Sequence, residues 1–228
     1  MKDESASRAV DEGVIKFDIT LETAVIGWPA GAQDLEAWRR ILWQLELVGV
    51  ERGAIECGYG NVSMRLSSDN AQPHFLITAT QTGQKRSLQA GDYVMVTGCD
   101  LENNGVRARG EARPSSESLA HHMLYRLCPE ARFVFHAHSA LIWTQAAALG
   151  LPSTPAEVPY GTPAMAQAIA ALFTGTELRT SRVLSMGGHK DGIIAFGPTA
   201  DAAGTALIAT LARALAMRAQ PESPIDLP

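Results

Sequence analysis

Apolar residues recur every three or four positions in several stretches of this chain, which is the pattern of helices that bury one face. From Asp34, the segment DLEAWRRILWQLELVGV places Leu35, Trp38, Leu42 and Leu45 at this spacing. Four further segments have the same spacing: one after RPSSES, one that begins with SALIWT, one that begins at Thr162, and one from about 200 to 218. The pattern predicts a helix at each of these places, and the apolar face of each helix must pack against another layer of the protein.

Shorter apolar runs between these helices have the period of two that is typical of strands. NVSMRL places Val62, Met64 and Leu66 on one face, and HFLIT, YVMVT, RFVFHAH, RVLSMG and GIIAFG also read as strands. Since strands and helices do not alternate strictly, the sequence predicts one α/β domain whose sheet is not of the βαβ type. The predicted division is an N-terminal arm, 1–33, a domain, 34–218, and a C-terminal tail, 219–228.

Composition and charge narrow the classes of function. The net charge of −5, without a Lys/Arg-rich run, argues against a nucleic-acid surface. Polar residues interrupt the apolar stretches before the roughly 18 residues that a membrane span needs. The charged opening lacks the apolar core of a signal peptide, and the cysteines at 57, 99 and 128 form no disulfide pattern. We therefore expect a soluble, cytoplasmic protein that binds neither nucleic acid nor membrane.

Two histidines lie two residues apart in the predicted strand ARFVFHAHSAL. Side chains at i and i+2 leave the same face of a strand, so His136 and His138 project side by side in a chelating geometry. A hydrogen-bonded pair of core histidines is the alternative interpretation of so short a motif. His189, in the glycine-rich turn MGGHKDGIIAFG, is the best third ligand, because catalytic zinc sites use three protein ligands and keep a fourth position open.

A carboxylate and three loops add candidate chemistry. Glu117 lies in the first turn of the helix that leads by a short connection into the His-x-His strand, so helix and strand should pack together. A carboxylate there is also explained by the helix dipole alone. The loops GYGNVS, TQTGQKRS and PSSE offer backbone N–H groups and hydroxyls that suit a phosphate, although each by itself is an ordinary turn sequence.

The order of these motifs, GYGNVSMR, ITATQTG, PSSESLAHHMLY, FHAHS and GGHKDGIIAFG, resembles the class II aldolase/adducin family over roughly residues 34 to 215. The resemblance implies a single three-layer α/β/α domain with a central, largely antiparallel sheet. It also implies a C4 homotetramer with active sites between subunits.

Roles for individual residues also follow from the resemblance. His136, His138 and His189 match the zinc ligands of the family. Glu117 matches the acid/base that can approach the metal, so it is a predicted metal-binding residue as well. Zn²⁺ is the implied cofactor, and another divalent transition metal is compatible with a histidine-rich site. The segments that hold the substrate phosphate are matched by Gly60, Asn61, Thr82, Gly83, Ser115 and Ser116.

Some features depart from the sugar-phosphate aldolases of the family. The tail MRAQPESPIDLP has no tyrosine, which leaves Tyr160 as the predicted catalytic tyrosine. Lys190 follows His189 where glycine is common, and no serine or threonine precedes Gly60-Asn61. These departures leave the predicted metal site intact but weaken the expectation of aldol cleavage and of a phosphorylated substrate.

The sequence therefore predicts a zinc-dependent, aldolase-like carbon–carbon lyase. It would act on a sugar or sugar phosphate through a metal-stabilised enediolate, with Glu117 as acid/base. The alternatives are a dehydratase, decarboxylase or epimerase on the same metal site, or a non-catalytic adducin-like scaffold. The complete ligand set argues against the scaffold, and three histidines with one carboxylate differ from a closed structural zinc site.

Overall fold

A computed structural model describes residues 14–51 and 56–218 of the 228. The first 13 residues of the predicted arm and the whole predicted tail, 219–228, lie outside the described residues. The arm, domain and tail boundaries therefore stay predictions.

The strands of the described residues, in chain order, are β1 (Asp18–Thr23), β2 (Gly49–Glu51), β3 (Cys57–Tyr59), β4 (Asn61–Arg65), β5 (Phe75–Thr78), β6 (Tyr93–Asp100), β7 (Gly105–Gly110), β8 (Phe133–His138), β9 (Val183–Ser185) and β10 (Gly192–Gly197). Eight of them form one large sheet with the order β1-β7-β6-β5-β4-β8-β10-β9. All neighbouring strands in it are antiparallel except β1 and β7, which are parallel. A small separate sheet pairs β2 with β3.

Helices cover both faces of the large sheet. In chain order they are α1 (Ala32–Gln44), α2 (Ser118–Leu127), α3 (Ala140–Thr144), α4 (Pro163–Gly175), α5 (Leu178–Ser181) and α6 (Ala200–Arg218). One core, between the sheet and helices α2 and α4, contains Val134 with Leu124 and Ile169. The other, between the sheet and helices α1, α3 and α6, contains Phe135 with Leu35. Neighbouring residues of β8 thus enter opposite cores, which confirms the predicted three-layer α/β/α fold with a largely antiparallel sheet.

The first helix ends earlier than the apolar pattern suggests. The pattern DLEAWRRILWQLELVGV runs to Val50, but α1 ends at Gln44. Glu46 has a left-handed backbone with φ 57° and turns the chain. The carbonyl of Leu47 then accepts a hydrogen bond from the N–H of His138 at 2.9 Å. Leu47 and Val48 are therefore buried near the end of β8 and not along a helix face, whereas Leu45 is exposed.

Helix α6 has the length and hydropathy of a membrane-spanning helix. Its side chains Ala203, Leu207 and Ala214 are buried in the core on the α1 side of the sheet. The Nε1–H of Trp38, in α1, donates a hydrogen bond to Asp201 Oδ1 at 2.7 Å. The helix is therefore an integral layer of the domain.

Candidate metal and substrate site

The predicted His-x-His pair lies at the end of β8, a central strand between β4 and β10. His136 is fully buried, and its ring centroid lies 5.0 Å from that of His138. Phe135 and Ala137 point into the opposite core. The strand period thus places both imidazoles on one face, as the sequence predicts.

His189 reaches the same place from the turn between β9 and β10. Its ring centroid lies 4.9 Å from that of His136 and 4.8 Å from that of His138. The backbone of this turn packs directly against the loop before Tyr160. A Cβ on Gly188 would lie 1.8 Å from the carbonyl oxygen of Val158. A glycine before His189 is therefore required by close backbone packing, and this packing brings the three histidines together.

The chemistry of these donors fits a divalent transition metal. One nitrogen from each of His136, His138 and His189 lies within 4.8 Å of the other two. The Nδ1 of His136 lies 3.2 Å from the carbonyl oxygen of Ile193 and donates to it, which leaves Nε2 as an acceptor. That buried Nε2 has no hydrogen-bond partner in the part of the chain that is described. Burial, and then the neighbouring histidines, hold the pKa of His136 well below its usual value, so the imidazole is neutral as a metal ligand must be.

Glu117 lies beside the histidine cluster. It is 1% exposed, and its Oε1 is 3.6 Å from the Nδ1 of His189. It is the last residue before α2 begins at Ser118, whereas the sequence places it in the first turn of that helix, and its side chain makes no capping hydrogen bond. The compact group of donor atoms consists of the three histidines, so the carboxylate lies next to the group and not within it.

All the residues predicted to bind substrate line one cleft. Backbone contacts bring the loops together: the Ser115 N–H donates to the Thr78 carbonyl at 3.2 Å, and the Thr80 N–H donates to the Arg113 carbonyl at 3.0 Å. Gly60 has a φ of 72°, and a Cβ there would lie 3.1 Å from the His136 carbonyl oxygen. The cleft is lined by Gly58, Gly60, Asn61, Ala79, Thr80, Gln81, Thr82, Gly83, Ser115, Ser116, Glu117 and His136. Their roles in binding stay predictions.

Tyr160 also reaches the cluster. It lies in the loop between α3 and α4, is 5% exposed, and stacks on His189 with ring centroids 4.4 Å apart and planes inclined by 24°. The predicted catalytic tyrosine thus contacts a predicted metal ligand of the same chain.

Two residues near the site were not expected from the sequence. Tyr59 stacks on His138, although in the motif GYGNVS only its neighbours Gly60 and Asn61 were assigned a role. Arg39 is 1% exposed, and its Nη2–H donates to the Thr82 carbonyl at 3.2 Å under the cleft loop. Nothing in the pattern distinguishes Arg39 from the neighbouring Arg40, so only the packing identifies it.

The fold and site together define a class of protein: three-layer α/β/α domains that gather a histidine cluster and a carboxylate beside a small polar cleft. Residues 42–218 match the family described as Class II Aldolase and Adducin N-terminal domain. The chain belongs to this family.

Curated relatives match part of the chain. A methylthioribulose-1-phosphate dehydratase of Yersinia enterocolitica is 39% identical over 90 residues, which cover 39% of this chain and 38% of that protein. A protein of Mycoplasma pneumoniae named probable L-ribulose-5-phosphate 4-epimerase is 31% identical over 98 residues, 43% of this chain and 37% of that protein. The match therefore spans less than two fifths of either relative.

Solved structures match nearly the whole fold. An L-fuculose 1-phosphate aldolase superposes with a TM-score of 0.58 at 20% identity, covering 90% of this chain and 93% of that one. The N-terminal class II aldolase domain of a Thermoplasma acidophilum protein gives 0.59 at 16% identity, covering 86% of this chain and 97% of that one. At these identities the likeness shows the fold.

Proposed function

We propose that this chain is a metal-dependent dehydratase of a phosphorylated ketose. The observation that carries the proposal is the single cleft that joins His136 and Glu117 to Thr82, Ser115 and Ser116. A buried carboxylate beside a cluster of metal-binding side chains suits proton transfer next to a carbonyl. Hydroxyls and backbone N–H groups at the far side of the same cleft suit a phosphate.

Dehydration is a revision of the reaction that the sequence predicts first, which is aldol-type cleavage. The relatives named dehydratase and epimerase are 39% and 31% identical to this chain over their matched residues. The aldolase structure is 20% identical and supports the fold alone. The relatives thus favour the alternatives of dehydration and epimerisation on the same site.

In the proposed reaction, a bound metal ion and the side chains of the protein have different roles. A divalent ion held by His136, His138 and His189 would polarise the substrate carbonyl as a Lewis acid. Glu117 accepts the proton from the hydroxyl-bearing carbon next to that carbonyl. The electron pair of the C–H bond forms a C=C bond to the following carbon as the C–O bond there breaks, and the departing hydroxyl takes the proton back from Glu117 and leaves as water. The resulting enol becomes a ketone by proton transfer.

The cleft also accounts for recognition of an anionic end group. No Lys or Arg side chain is among its lining residues within the described ranges. Ser115 and Ser116 precede Glu117, the N-cap residue of α2, and α2 is a helix of 10 residues whose N-terminus favours an anion. The proposal is therefore that a phosphate is held by neutral donors and the helix end.

Mass spectrometry of reaction products tests this proposal. The purified protein is incubated in D₂O with Zn²⁺ or Mn²⁺ and with ketose 1-phosphates, ketose 5-phosphates and the free sugars. We expect loss of one water from a phosphorylated ketose and no reaction of its free sugar. Glu117→Gln should lower the rate by about 10²- to 10⁴-fold and retain metal, because Glu117 is outside the compact donor group.

Glu177→Gln is the matched control, since Glu177 also precedes a helix without a side-chain cap and lies away from the cleft. An isomer of the substrate, separated from it by chromatography before mass analysis, would favour the epimerase, which is the second candidate from the relatives. Two carbon fragments would restore the aldolase prediction. A protein that binds no metal and converts no sugar would instead support the non-catalytic scaffold.

A homotetramer with active sites between subunits is part of the same proposal. Light scattering of the purified chain measures its mass, and a monomer would contradict it.

A further inference from the structure

The N-terminal segment before β1 reaches the candidate site at Tyr160. The Nζ of Lys16 lies 3.8 Å from the centroid of the Tyr160 ring. The backbone N–H of Val14 donates a hydrogen bond to the Tyr160 hydroxyl at 3.3 Å. Two separate atoms of the segment therefore hold the ring face and the hydroxyl of the same tyrosine.

The Lys16 ammonium and the His189 imidazole both lie against the Tyr160 ring. The imidazole of His189 is stacked 4.4 Å from the Tyr160 centroid, nearly parallel to the phenol plane. The ammonium lies 3.8 Å from the same centroid, where it interacts with the negative face of the phenol ring. Tyr160 therefore contacts both the N-terminal segment and a histidine of the cluster.

The backbone of Lys16 is fixed on both sides. Phe17 is 7% exposed and belongs to the core under α2 and α4. The Nδ2–H of Asn104 donates to the Lys16 carbonyl at 2.8 Å, and the Asp18 N–H donates to the Asn104 carbonyl at 2.9 Å. Strand β1 then continues the pairing along β7, from Asp18 opposite Gly105 to Thr23 opposite Gly110. The pairing of β1 and the hydrogen bond from Asn104 thus fix the backbone position from which Lys16 reaches Tyr160.

The residues of the N-terminal segment that contact Tyr160 lie outside the part of the chain that matches the family. The family match begins at residue 42, whereas Val14 and Lys16 precede it. The contact is therefore a property of this chain that membership in the family does not assign.

We propose that Lys16 is a positioning residue, which together with the Val14 N–H fixes Tyr160 against His189. The N-terminal segment is then one wall of the candidate site. The effect on turnover rests on the proposed function, while the effect on the Tyr160 ring does not. Losing the cation should release the ring, loosen the histidine that it covers, and lower kcat more than it changes KM.

Fluorine NMR of protein labelled with 3-fluorotyrosine measures the ring directly, without metal or substrate. The chain has four tyrosines, so Tyr160→Phe assigns one resonance and the other three are internal references. Lys16→Met should move the Tyr160 resonance alone, and Lys16→Arg should restore it because a guanidinium also stacks on aromatic rings. Arg109→Met is the matched control: it removes a cation that pairs with Glu22 of β1 at 2.9 Å.

Metal release to a chelator and steady-state kinetics are measured on the same proteins. We expect Lys16→Met to speed metal release and to lower kcat by about 3- to 10-fold, in the range of a partly desolvated cation–π contact, with KM nearly unchanged. Thermal unfolding checks that Lys16→Met and Arg109→Met are equally folded.

The outcomes separate the two proposals. An unmoved Tyr160 resonance in Lys16→Met, or an equal movement in Arg109→Met, would overturn the positioning role whatever the activity. Unchanged kcat and metal release in Lys16→Met, with an active wild type, would also overturn it. A wild type that converts no sugar while the Tyr160 resonance responds as expected would refute the proposed function and support the contact.

Discussion

Tyr59 stacks on His138, with ring centroids 5.1 Å apart and planes inclined by 30°. The Tyr59 hydroxyl donates to the Glu46 carbonyl at 3.1 Å, where the chain turns after α1. The turn after α1 thus binds the Tyr59 hydroxyl and also contacts the end of β8. Tyr59 and Tyr160 cover two different histidines of the cluster.

Replacing Tyr59 should therefore weaken metal binding through His138. Groups that orient a metal ligand contribute about 10- to 100-fold to affinity. We expect Tyr59→Leu to lower metal affinity about tenfold, and Tyr59→Phe, which keeps the stacked ring, to lower it much less. Competition with a chromophoric chelator measures both. Equal affinities for Tyr59→Leu and wild type would show that the stacking does not orient His138.

Gly188→Ala should disrupt the site from a distance. The added Cβ would lie 1.8 Å from the Val158 carbonyl oxygen, so the His189 turn and the loop before Tyr160 must separate. We expect a loss of about 2 kcal/mol in unfolding free energy and weaker metal binding. Gly27→Ala is the control, because a Cβ at Gly27 meets no atom within 4 Å among the described residues. Urea unfolding that is the same for both variants would contradict this packing argument.

Arg39 should support the loop that lines the cleft. Burial lowers its pKa, while the charge of Glu36 opposes that effect. Glu36 is itself held by the Leu88 N–H at 2.9 Å and the Tyr93 hydroxyl at 2.8 Å. Arg39→Met removes the charge near this carboxylate and the hydrogen bond to the Thr82 carbonyl, and we expect a loss of about 2 kcal/mol in unfolding free energy.

The double variant Glu36→Gln with Arg39→Met should recover part of that loss. Urea unfolding of the four proteins of this cycle measures the coupling. Strictly additive losses would mean that the two charges do not stabilise each other.

The metal-free protein should lose stability in mild acid. Burial lowers the pKa of His121 to about 3, and burial with the charge of Arg126 lowers the pKa of His122 to about 4. In the unfolded chain both titrate near 6.5. The unfolded state therefore binds more protons as the pH falls below about 6.5, and stability is lost in that direction.

Together the two histidines should remove about 2 kcal/mol of unfolding free energy between pH 6 and pH 5. Urea unfolding with a chelator present measures this slope, and His122→Gln should reduce it. A slope that His122→Gln leaves unchanged would mean that His122 is protonated in the folded chain.

Local periodicity accounts for the parts of the fold that the sequence predicts correctly. The helix that begins at Thr162 is an example: Thr162 accepts a hydrogen bond from the Met165 N–H, and Pro163 takes the first helical position. Helix α1 ends before the apolar pattern does, because Leu47 and Val48 are buried in the core by tertiary contacts and not along a helix face. Glu117, which the sequence places in the first turn of α2, is instead the residue before the helix, and its N–H donates a hydrogen bond to Ser115 Oγ at 3.3 Å.

The sequence by itself determined the α/β class, the family and the shared face of His136 and His138, because these depend on spacings of a few residues and on the order of motifs. Tertiary structure alone decided that Tyr59 covers His138, that Arg39 lies under the cleft loop, and that Lys16 reaches Tyr160. Such contacts join side chains far apart in the chain, and their formation depends on how the layers pack. No local pattern records that packing.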